Sequence, residues 1–190
     1  MANLMLECGS PKKLANRGQV IEITNKINDF SRLSDIIAAD LGEHAEADSA
    51  SKWRQVPVDI KLCFGWIRSQ PGIPVLEGQV STQVALLCQR CLKPLELELN
   101  VELKLLLPRS GVSPAEHEGF EVWELDDDEV RPADMVEEAL IMALPFSALH
   151  DSSDDCTAMS VEIQTDEHKK TRPFEDLQSL MANSHEKSEQ

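Results

Sequence analysis

The chain has no tyrosine, and its 190 residues include only 5 phenylalanines and 3 tryptophans. Its core must therefore pack through aliphatic side chains, and an apolar share of 42% is enough for one modest core. No apolar run approaches the roughly 20 residues of a membrane span. The opening MANLMLECGSPKK is too short and polar for a secretory h-region, and its lysines follow the apolar part. These absences point to a cytoplasmic protein with no membrane partner. Catalytic signatures are also missing: there is no Gly-rich phosphate loop, no His-Glu-x-x-His and no Gly-x-Ser-x-Gly. His44, His117, His168 and His185 lie in polar stretches and read as surface residues. The expectation is no enzyme and no small-molecule substrate.

Basic residues are scarce as well. Lys and Arg number 18 against 34 Asp and Glu, a formal net charge of −16. That balance argues against broad phosphate binding, which depends on basic residues releasing counterions. The distribution is uneven. Residues 51–109 carry 8 basic against 5 acidic residues, whereas residues 110–138 carry 1 against 11. A mildly basic middle is followed by an acidic arm.

In that middle, Val58, Ile60, Leu62, Phe64 and Trp66 alternate with mostly polar neighbours. Val80, Thr82, Val84 and Leu86 do the same, and so does LELELNVELKLLL from Leu95 to Leu107. Period two marks strands with one buried face, and short turns between them make a meander. GQVIEI (Gly18–Ile23) reads as a further strand. Phe30, Leu33, Ile37 and Leu41 have helical spacing in a segment ending at Gly42. A second helix spans RPADMVEEALIMALP, with Asp134 or Pro132 opening it and Glu137 and Glu138 suiting its positive N-terminal end. Val136, Leu140, Ala143 and Leu144 form its expected buried stripe, and Pro145 stops it. RPFEDLQSLMA reads as a short closing helix. The fold expected is α+β: an antiparallel sheet, open to strong curling, as a meander around residues 58–107, with helices on one side and mobile acidic segments.

Five cysteines, an odd number, fit a reducing compartment. Cys88 and Cys91 sit in LLCQRCLKPLELEL, between two strands. Disulfide exchange is disfavoured, because a reactive pair needs a lowered thiol pKa and no helix N-terminus points at this one. Zinc takes four ligands, and Cys88 and Cys91 have the spacing of a zinc knuckle. The other two ligands would have to be the distant His150 and Cys156, so the pattern is half a site. The alternative is a structural turn whose thiols are small, partly buried fillers. Gln89, Arg90 and Lys93 project from this turn, and Arg109 lies in the same basic segment. An arginine in a fixed turn can fork onto phosphate or carboxylate.

LCQRCLKPLELELNVELKLLL, then VEEALIMALPFSALHDSSDDC, then RPFEDLQSLMA resemble the bacterial YceD family, the large ribosomal RNA subunit accumulation proteins. SPKKLANRGQVIEITNKINDFSRLSDII resembles that family's opening. The matching positions are Cys88, Gln89, Arg90, Cys91, Leu92, Leu144, Pro145, His150, Cys156, Pro173 and Phe174. The sequence departs from the family in three places. Some relatives have a second Cys-x-x-Cys where Cys156 stands alone, Ala148 replaces a proline ahead of the histidine, and the helix's acidic triplet is reduced to Glu137 and Glu138. The resemblance implies one domain over residues 11–182, containing an acidic loop at 110–131, with a disordered tail at 183–190. It implies a non-enzymatic ribosome-biogenesis factor acting on large-subunit ribosomal RNA or a basic large-subunit ribosomal protein; no cofactor is expected, with zinc as the open exception. Gln89, Arg90, Lys93 and Arg109 are the expected RNA or partner contacts, and Asp126, Asp127 and Asp128 the expected dock for a basic protein. The alternative is a small zinc-binding module using Cys88, Cys91, His150 and Cys156.

Overall fold

In chain order the elements are α1 (Pro11–Asn16), β1 (Val20–Lys26), α2 (Ser31–Leu41), β2 (Pro57–Trp66), β3 (Pro74–Leu87), β4 (Pro94–Leu106), β5 (Glu121–Val122) and α3 (Pro132–Ala143). Single 3-10 turns lie at Ile27–Asp29 and Ala50–Gln55. The structure, a computed structural model, describes residues 5, 7–43, 50–67, 72–108, 119–125, 129–152 and 156. The segments 126–128 and 109–118 of the acidic arm, the closing RPFEDLQSLMA and the tail 183–190 lie outside the described residues.

The period-two runs become the three long strands. In β2, Val58, Ile60, Leu62 and Phe64 are buried, and in β4 Leu95, Leu99, Leu103 and Leu105 are. The side chains between them face the other way: Glu96, Glu98, Asn100, Glu102 and Lys104 are exposed. β1 through β4 pair antiparallel in sequence order, through registers such as Ile23↔Ile60, Ile60↔Val80 and Val80↔Val101. β5 departs from the expected pattern, because it joins β4 in parallel at Leu105↔Glu121 and Leu106↔Val122. The sheet is therefore mixed, and with β1 and β5 as its two edges it is open rather than strongly curled.

One close approach depends on glycine. At Gly78, opposite Leu62, a Cβ would lie 2.6 Å from Leu62 Cδ2 and 2.7 Å from the Lys61 carbonyl oxygen.

The helices cover the apolar face of the sheet. Leu33, Ile37 and Leu41 of α2 and Met135, Val136 and Leu140 of α3 share one core with the strand residues. Each such burial contributes roughly 1.5–3 kcal/mol. On α3 the fully buried stripe sits one turn nearer the N-terminus than expected, with Ala143 and Leu144 only half-buried. Pro132 is the first helical residue, and Arg131, not Asp134, takes the cap position without a side-chain bond. Among the described residues no helix is long and apolar enough to cross a membrane.

α2 starts after Phe30, which has no oxygen with which to cap it. Its first-turn amides are satisfied from α3. Glu137 Oε1 accepts the Arg32 N–H at 2.7 Å and the Leu33 N–H at 3.2 Å. The Arg32 guanidinium then reaches Glu137 Oε2 at 3.1 Å and Glu138 at 2.8 Å. Glu137 is 8% exposed, so this carboxylate serves the positive end of the neighbouring helix from within the core.

Candidate metal centre at the strand turn

β3 ends where its last amide is captured: Leu87 N–H donates to Asp40 Oδ2 in the last turn of α2 at 2.7 Å. The chain then folds into a tight loop. Cys88 N–H donates to the Lys93 carbonyl at 2.9 Å, and Leu92 N–H to the Cys88 carbonyl at 2.8 Å. Leu92 closes the loop at φ +57°, the one non-glycine with positive φ among the described residues. Pro94 returns the chain to extended backbone as β4 begins.

A second segment lies against this loop. Pro145 lacks the N–H needed to extend α3, and residues 145–151 run on without helix or strand. The Ala148 carbonyl accepts the Gln89 N–H at 2.8 Å. His150 is thereby set beside the two thiols.

Cys88 Sγ lies 3.7 Å from Cys156 Sγ. His150 Nδ1 lies 3.5 Å from Cys91 Sγ and 3.5 Å from Cys156 Sγ. All four donor atoms fall within 4.8 Å of one another. A tetrahedral zinc ion with Zn–S about 2.3 Å and Zn–N about 2.0 Å has ligand–ligand edges of about 3.8 Å for S···S and about 3.5 Å for S···N. The Cys88–Cys156, His150–Cys91 and His150–Cys156 spacings match those edges, while the four atoms as a set spread to 4.8 Å, so closure on a zinc ion needs a small inward shift. Three thiols and an imidazole also form a soft donor set suited to zinc.

The electrostatics around the thiols are uneven. Cys88 is fully enclosed, which opposes its ionisation, yet the backbone N–H groups of His150, Arg90 and Cys91 outweigh burial and bring it down to about 5. Cys156 is pushed up to about 11, first by burial and then by hydrogen bonding with the Cys88 and Cys91 thiols. The cluster thus favours a thiolate at Cys88 and disfavours one at Cys156, an imbalance that a divalent cation removes.

The structure brings all four candidate ligands together. It places Gln89, Arg90 and Lys93 on the exposed rim of the loop. Arg109, Asp126, Asp127 and Asp128 lie outside the described residues. Sequence reasoning did not find Leu92 as a strained, outward residue, nor Phe146 and Leu149 as exposed apolar ones. The signal for Leu92 was its position directly after the second cysteine, where the loop needs left-handed backbone.

Residues 76–181 match the family model of the large ribosomal RNA subunit accumulation protein YceD, over more than half of the chain. The chain belongs to the YceD family. The matched span holds Cys88, Cys91, His150 and Cys156, together with β4 and α3, and begins within β3. α1, β1, α2 and β2 precede it. The family's description is of a part in accumulating large-subunit ribosomal RNA and names no reaction. No solved structure matches the chain.

Proposed function

We propose that this YceD-family chain supports accumulation of large-subunit ribosomal RNA by binding, without a reaction of its own, and that a zinc ion held by Cys88, Cys91, His150 and Cys156 fixes its binding loops. The observation behind this reading is the convergence of three thiols and an imidazole to within 4.8 Å of one another, drawn from two loops 68 residues apart. When bound, zinc supplies a cross-link and cancels thiolate charge. The protein's own residues do the rest. The backbone amides around Cys88 orient its sulfur, Asp40 pins the end of β3, and Ala148 ties the histidine segment to the loop. Gln89, Arg90 and Lys93 are then presented in a fixed arrangement. Arg109 and the acidic run Asp126–Asp128, outside the described residues, are further contacts in this proposal, the acidic run suited to a basic ribosomal protein.

The test is elemental analysis of purified full-length protein, followed by complementation. About one equivalent of zinc is expected in the wild type, and well under half an equivalent in Cys88→Ser and His150→Ala. In cells lacking the gene, the wild type should restore the ratio of large- to small-subunit ribosomal RNA and Cys88→Ser should not. Metal-free wild-type protein with full complementing activity would overturn the zinc part of the reading.

A further inference from the structure

Leu92 has an unusual combination of features. An L-residue in the left-handed region costs about 1–2 kcal/mol, and a glycine there would avoid the strain. Burial does not offset the strain, because the Leu92 side chain is 54% exposed. Two more apolar side chains stand outward on the adjoining segment: Phe146 is fully exposed and Leu149 is 45% exposed. The Gln89 N–H bond to the Ala148 carbonyl sets the two loops edge to edge. The three exposed side chains therefore stand on two adjoining loops, with the exposed Arg90 on the first.

We infer that Leu92, Phe146 and Leu149, with Arg90 beside them, form an anchor that docks into an apolar cleft on a basic protein. This deepens the binding role proposed above and rests on the same loops. Aliphatic side chains have no π-face on which a base can stack, so Leu92 and Leu149 give nothing to RNA. Aromatic, aliphatic and arginine side chains placed together match the centre of a protein interface. Exposed apolar surface of this kind marks a partner site. The sign of the partner follows from charge. At long range a chain of net charge −16 repels a polyanion and steers a cationic protein toward it, while at contact Arg90 needs a carboxylate or carbonyl within the cleft.

The experiment uses full-length protein in three forms: wild type, Leu92→Gly and Phe146→Ser. The two probes are RNA-free total protein of the large ribosomal subunit, which is rich in basic proteins, and protein-free large-subunit ribosomal RNA. Binding is read at physiological salt, with bound proteins identified by mass. Zinc content and Tm are measured on every sample. Leu92→Gly relieves the backbone strain, so it should fold at least as well as the wild type. The expected result is capture of one or a few basic proteins by the wild type, weakened at least tenfold in both variants at unchanged zinc content. Three results would overturn the inference: loss of RNA binding instead, wild-type capture by both variants, or no protein captured by the wild type. Low zinc in the wild type would count against the metal centre alone, and the comparison of Leu92→Gly with wild type would still decide the docking rim.

Discussion

Glu137 is a carboxylate in an apolar interface, held there by two amides and a guanidinium. Removing it leaves the Arg32 and Leu33 N–H groups without acceptors. Glu137→Ala is expected to cost about 2–4 kcal/mol, measured by urea unfolding. Glu137→Gln keeps an acceptor oxygen and should cost about half as much. The sequence showed that this residue suited a helix N-terminus. It could not show which helix, because the bond spans 105 residues and only packing brings the partners together. The thiols were legible in a similar way. Cys88 and Cys91 announced themselves by spacing, and His150 and Cys156 could be named only as candidates. Leu92 was hidden, since nothing in its side chain reports a positive φ.

Among the elements, the long strands were the most legible, because alternation over ten or more residues encodes both a strand and its buried face. α1 went unread: six residues carry too little periodicity, and Pro11 at its start is its main local signal. β5 has two residues, and the apolar Phe120, Val122 and Trp123 point to a short strand there but not to its partner. Its parallel pairing depends on where the chain returns, which periodicity does not encode. Gly78 shows what the pattern omits. It stands at an inward position of β3, where alternation calls for an apolar side chain, yet the approach of Leu62 and the Lys61 carbonyl leaves no room for one. Gly78→Ala is expected to destabilise by about 1–3 kcal/mol through overpacking, despite alanine's better strand entropy. Urea midpoints of the two proteins at equal m-value check this.

For the whole molecule, two predictions concern metal and charge. A cross-link closing a loop of 68 residues removes about 4 kcal/mol of unfolded-chain entropy. At roughly 2–4 °C per kcal/mol, chelation of the zinc form should lower Tm by about 10 °C. The sheet should survive at 25 °C, because Cys88 and Cys91 are two members of a core built mainly from the aliphatic side chains of the strands and helices. Calorimetry and far-UV circular dichroism with and without chelator test both statements. The net charge makes the second prediction: association with a basic partner should slow at least several-fold between 50 and 300 mM salt while dissociation changes little. Stopped-flow mixing would measure it. The composition foretold this charge in full, but not that Leu92, Phe146 and Leu149 stand exposed.

The clasp between α2 and α3 also governs time. β2, β3 and β4 follow one another through short connections, so their two hairpins can form from nearby residues. The Glu137 bonds, by contrast, wait until α2 and α3 have met. Contacts made after the folding barrier leave the folding rate almost untouched and set the rate of opening. Glu137→Ala should therefore shift the unfolding arm of a chevron plot and leave the refolding arm nearly in place. On that account the clasp works as a latch: it sets how long a folded molecule lasts before it opens.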